Sequence, residues 1–143
     1  MANNPFNIGR NGRMVLIWNG SRVDLPTITQ FQSQQVTTAL KSTPLNDKPK
    51  TFEVPNGWSG SFQVQRDSAK LDNLIASSEA AFWSAATITS GTIYFYADET
   101  DGSTTTWEYT DVAITLNNAG SWQNDNIVTQ GVNFTASQRV KIS

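Results

Sequence analysis

The side chains that perform most nucleophilic and metal chemistry are missing from this 143-residue chain, which has no histidine and no cysteine. Their absence removes Ser-His-Asp and Cys-His triads, thiolate metal centres, disulfides and nearly every zinc site. Carboxylates remain. A pair flanking a glycosidic bond hydrolyses it without histidine, and Glu99 and Glu108 are the least implausible such pair. Asp98, Glu99 and Asp101 form an acidic run that suggests calcium, but no EF-hand spacing surrounds them, and Asp101-Gly102 reads as a solvated turn. No phosphate-cradling or dinucleotide glycine pattern is present. Asn19-Gly20-Ser21 and Asn133-Phe134-Thr135 match the glycosylation sequon, which matters only behind a secretory signal. Five tryptophans could line a sugar groove, yet Trp58, Trp83 and Trp107 fall where core or strand packing accounts for them. The sequence predicts no catalytic residue, no cofactor and no metal site.

The elements are mostly strands. Met14 to Trp18 and Arg22 to Ile28 flank Asn19-Gly20, a pair suited to the positive φ of a tight hairpin turn. Pro26 belongs at an edge or bulge. Thr29 to Leu40 is rich in Gln and β-branched residues. In Trp58 to Arg66, Trp58, Phe62 and Val64 share one parity, and Ser59, Ser61, Gln63 and Gln65 share the other, so one face is core and the other uncharged and polar. Ser68 to Ala85 is the one helix, capped by Asp67 or Ser68, with Leu71, Leu74, Ile75, Ser78 and Phe82 on one stripe. Thr92 to Ala97 and Thr104 to Tyr109 flank the acidic turn. Trp107 to Leu116 and Ile127 to Ala136 place Val112, Ile114 and Leu116, and Val128, Val132, Phe134 and Ala136, on apolar parities. Val140 and Ile142 extend the last strand.

Two segments lack this regularity. Residues 1–12 read as a flexible arm around Phe6 and Ile8. Residues 41–57 read as a long loop, interrupted by Pro44, Pro49 and Pro55 and carrying Lys41, Lys48 and Lys50. Residues 13–143 form one domain. The net charge is −2, with +4 in residues 1–70 and −6 in residues 71–143. That balance argues against a general nucleic-acid binder and suits a molecule with unlike faces. No apolar run approaches the roughly 20 residues of a membrane span, and residues 1–10 lack the apolar block of a signal peptide. The expectation is a soluble protein made in a cytoplasm.

The closing third, through Tyr109, Val112, Ile114, Leu116, Gly120, Trp122, Val128, Gln130, Val132, Phe134 and Ala136, resembles the end of bacteriophage tail tube proteins. The resemblance implies a mainly β fold with one helix, in which two packed antiparallel sheets form a sandwich or barrel-like subunit. It implies six copies closing a ring edge to edge, and rings stacking into a tube that conducts DNA and a tape-measure protein without tight binding. Sheath, baseplate and tail terminator proteins are the further partners it implies, and no membrane. The site would be the virion tail, assembled in the bacterial host cytoplasm. On this reading Gln30, Gln32, Gln34, Ser59, Ser61, Gln63 and Gln65 face the lumen, the parity of residues 29–40 being open. Phe6, Ile8, Lys41, Leu45, Lys48 and Lys50 serve ring stacking, with Asp98, Glu99 and Asp101 as electrostatic partners. Relatives of the same fold stay open: a tail-completion or baseplate ring, or the tube of a type VI secretion machine. From another class, the alternative is a small carbohydrate-binding β-sandwich.

Overall fold

The computed structural model describes residues 6–142 except 24 and 26. Residues 1–5 of the expected arm and the expected edge position of Pro26 lie outside them. A single 3-10 turn at Gly9–Asn11 leads into strand β1, Gly12–Trp18. Asn19 and Gly20 adopt φ of 52° and 82°, as the hairpin reading requires, and the chain returns as the short β2, Ser21–Val23. Strands β3, Ile28–Ser42, and β4, Lys50–Gln65, form a long hairpin. Helix α1 follows at Lys70–Ala85, then β5, Gly91–Asp98, and β6, Thr104–Asn118. The chain ends with β7, Thr129–Ala136, and β8, Gln138–Lys141.

The expectation of two packed sheets forming a sandwich or barrel is overturned. The strands form one eight-stranded sheet in the order β2-β1-β5-β6-β7-β4-β3, with β8 paired to β6, and its ends at β2 and β3 do not join. The physical reason lies in β6. Its first half pairs with β5 and β8 and its second half with β7, so one continuous backbone carries both regions. Curvature is absorbed inside the strand, by a register shift opposite Gly91 and Ile93 and by Asp111 at φ 51°. The bent sheet brings β3 over β5, where Phe31 stacks on Phe95 with ring centroids 4.8 Å apart.

Phe62, Val64, Ile93, Tyr109, Val112, Val132 and Phe134 fill the core. The apolar parities of the last two strands are as expected, and Gln130 is the buried polar residue among them. Its amide donates to Asp72 Oδ1 at 2.7 Å and to the Ala119 carbonyl at 3.1 Å. Asp72, in the first turn of α1, also accepts from Arg66 Nε at 3.0 Å. The helix thus joins the sheet through a satisfied polar network as well as through Leu71 and Leu74. Trp18 Nε1 donates to Ser78 Oγ at 3.0 Å. The stripe is buried only in its first half, because Phe82 lies 44% exposed. The expected cap is absent: the helix starts after Ala69 with no side-chain hydrogen bond.

Candidate functional site

Residues directly opposite one another in an antiparallel ladder share a face. The β3–β4 register sets Gln30 against Gln63, Gln32 against Ser61 and Gln34 against Ser59. The seven residues singled out in the sequence therefore share one face, Gln30, Gln32 and Gln34 being the parity of β3 that lies beside Ser59, Ser61 and Gln63. Gln32 Nε2 donates to Ser61 Oγ at 3.2 Å. The face continues onto β7 through Thr129, Gly131, Asn133 and Thr135, and onto β6 through Ala113 and Thr115. None of these thirteen residues is charged. Gln32, Gln34, Ser59, Ser61, Asn133 and Thr135 line a shallow concavity of about 460 Å³. Sequence reasoning missed the β6 and β7 contribution. Its signal was present as the polar parity of these two strands, which alternation shows but does not join to the face of β3 and β4.

This four-strand face has two open borders. Among the described residues β3 pairs only with β4, and β6 from Ala113 onward pairs only with β7. Unpaired N–H and C=O groups along such borders accept another strand.

Residues 41–57 are not the expected irregular loop. Ser42 pairs with Lys50, Lys41 with Thr51 and Leu40 with Phe52, leaving only residues 43–49 as a turn. The result is a two-stranded arm. One face carries Leu40, Phe52 and Val54, all exposed, and Leu45 at the tip is fully exposed. The other face carries Thr37, Lys41 and Glu53, with Thr37 Oγ1 donating to Glu53 at 2.8 Å. Lys50 lies 3.7 Å from Asp47, and Lys48 donates its N–H to Asp47 at 2.7 Å. The arm leaves the sheet at a register shift beside Gly57, whose φ is 100° and where a Cβ would stand 2.8 Å from the Ala136 carbonyl.

Phe6 and Ile8 are exposed ahead of β1. Ile8 borders an open cleft of about 630 Å³ between β1, β5 and the start of β3. Asp98 ends β5, and Glu99 and Asp101 stand in the turn that leads to β6. Asp98 lies 3.6 Å from Arg13. Asp101 accepts from the Ser103 hydroxyl and N–H, which hold its carboxyl below the ordinary range. No ion pair joins this turn to the arm's lysines among the described residues. Glu108 is engaged by Tyr94, whose phenol it pushes above its usual pKa, first through their hydrogen bond.

The fold has solved counterparts. A structure described as the tube-terminating cap of the anti-feeding prophage matches at TM-score 0.68 and 9% identity, over 100% of this chain and 95% of that one. The sheath/tube terminator of an extracellular contractile injection system in its extended state matches at 0.65 and 9% identity, over 100% of both chains. The tail of an empty gene transfer agent particle, refined with C6 symmetry, matches at 0.58 and 9% identity, over 96% of this chain and 100% of that one. At such identities the likeness shows a shared fold. No protein-family model matches the sequence. No curated protein matches it.

Proposed function

We propose that the chain is a structural subunit of a phage-type tail tube, closing six-fold rings that stack into a conduit for genome delivery. The uncharged face with two open borders carries this reading. The border of β3 in one copy pairs with the distal half of β6 in the next, so each copy adds four strands to a shared barrel. With six copies, roughly 24 strands spaced about 4.8 Å apart and tilted about 40° close a barrel about 48 Å across at the backbone. That bore admits a nucleic-acid duplex. Its wall of Gln, Ser, Thr and Asn is hydrated and lacks the cations that hold phosphate, so DNA and a tape-measure protein slide through without being gripped. Six-fold order is supported by the C6 symmetry of the gene transfer agent tail that shares the fold.

The arm, whose Leu40, Leu45, Phe52 and Val54 are exposed among the described residues, is assigned to stacking, together with Phe6, Ile8, Lys41, Lys48 and Lys50. The turn at Asp98, Glu99 and Asp101 offers those lysines opposite charge on the next ring. Sheath, baseplate and terminator proteins would meet the ends and outer wall of such a tube. The virion tail is then its location, after assembly in the host cytoplasm. The cap and terminator descriptions of two counterparts favour a second reading, a ring that ends a tube. A glycan-binding sandwich is disfavoured because the strands form one sheet, and because the exposed Trp83 and Trp122 stand on different segments while Trp18 is buried and Trp58 and Trp107 pack on Arg139.

Cross-linking tests the ring. The chain has no cysteine, so engineered pairs report cleanly. Cysteine at Gln30, Gln32 or Gln34, each combined with cysteine at Thr115, should give an oxidised ladder ending at six copies for at least one pair. A ladder from none of them contradicts the proposed border.

A further inference from the structure

Arg139 stands on β8 opposite Tyr109, on the core side of the sheet and away from the polar face. Its guanidinium carbon lies 3.7 Å from the Trp107 ring centroid and 4.0 Å from that of Trp58. Two indole rings therefore lie against it. Cation–π attraction of this kind acts through the faces of the guanidinium and leaves its N–H groups, which point outward in its plane, unanswered. No hydrogen bond or ion pair runs from this guanidinium to any described residue, and Nε is buried without a partner. The two terminal nitrogens are not sealed off in the same way. A half-buried cation with an aromatic slot around it and no anion is an unfinished site.

We infer that the Trp58–Arg139–Trp107 clamp is a receptor for a carboxylate supplied by a second copy of this chain. A planar carboxylate entering edge-on accepts two parallel N–H bonds from the terminal nitrogens, the strongest arrangement open to an arginine. Nucleic-acid phosphate is excluded by position, since the clamp lies on the opposite side of the sheet from the face assigned to the bore. The chain carries suitable groups: Asp67, Glu79, Glu99, Asp111 and Asp125 have no side-chain partner among the described residues. The clamp also borders the arm, because Trp58 follows Gly57 at the register shift. A carboxylate docked there would hold the base of the arm while the arm engages its neighbour. The inference rests on the self-assembly reading above.

The test compares the critical concentration for assembly, read by sedimentation, of the wild type and Arg139→Met, whose unbranched apolar chain still fills the slot. Arg139→Met should fold with an unchanged circular dichroism spectrum and assemble only at a concentration raised about tenfold or more, the loss expected for one charge-assisted pair. Sodium acetate should raise the wild-type value above that in sodium chloride of equal ionic strength. This arm needs no variant and stands even if Arg139→Met fails to fold. Neutralising the five carboxylates one at a time should reproduce the Arg139→Met effect at one of them, with no further loss in the double variant. The inference is overturned if Arg139→Met assembles at the wild-type concentration, if acetate and chloride act alike, or if no neutralised carboxylate matches it. Acetate binding to unassembled protein combined with normal Arg139→Met assembly would mark a free-anion site and also overturn it. Ring formation by the wild type in any of these cases leaves the self-assembly reading intact. A wild type that never assembles removes both.

Discussion

At Gly60 the backbone of β3 and the core compete for the space of one methyl group. A Cβ there would lie 2.2 Å from the Gln32 carbonyl oxygen and 2.7 Å from the Phe134 ring. Glycine lets β3 approach β4 while Phe134 fills the underside. Gly60→Ala should cost about 1–3 kcal/mol by overpacking, measured by urea unfolding. Gly9→Ala, with nothing within 4 Å, should be nearly neutral. Asp101 makes a different kind of prediction. Its carboxyl is lowered by the Ser103 hydroxyl and then by the Ser103 N–H. A lowered folded pKa contributes stability that is present above the unfolded value and is lost as pH falls through the folded one. The β5–β6 turn should therefore loosen only below the ordinary carboxylate range. An NMR titration should show the Asp101 carboxyl moving back toward its usual pKa in Ser103→Ala.

The arm shows what alternation can and cannot reveal. Proline and lysine marked residues 41–57 as loop, yet Thr51, Phe52, Glu53 and Val54 continue β4 in register with β3. Pro55 is accommodated next to a register shift, where ladder bonding is already broken. Phe52→Ser should leave the unfolding midpoint of the isolated subunit almost unchanged, since the residue is 58% exposed. It should still shorten or abolish stacked tubes in electron micrographs. Charge reversal at Lys48 and Lys50 tests the same element, and unchanged assembly would withdraw their stacking role. The Asn19-Gly20 turn, the helix and the apolar parities around Val112 and Val132 were legible because each depends on neighbours in sequence. The single sheet was not, because β6 bends at Asp111 without ending, and a bend within a strand leaves no break in the pattern. The helix cap misled for a similar reason: Asp67 and Ser68 are good caps, but Arg66, Asp72 and Gln130 fix the start of the helix by tertiary bonds.

For the whole molecule, the decisive feature is a curved sheet whose polar side is neutral and whose borders are unfinished. On the proposed function, a subunit that completed its own borders would have no need of copies, and a bore lined with lysine would bind a polyanion that has to pass. Electron microscopy of the purified chain, imaged at increasing concentration, tests this most directly. The account predicts six-fold rings in which β3 of one copy lies in register beside the distal half of β6 of the next, with Gln32, Ser61 and Asn133 facing the opening. A monomer that persists at high concentration, or rings in which those residues face outward, would contradict it.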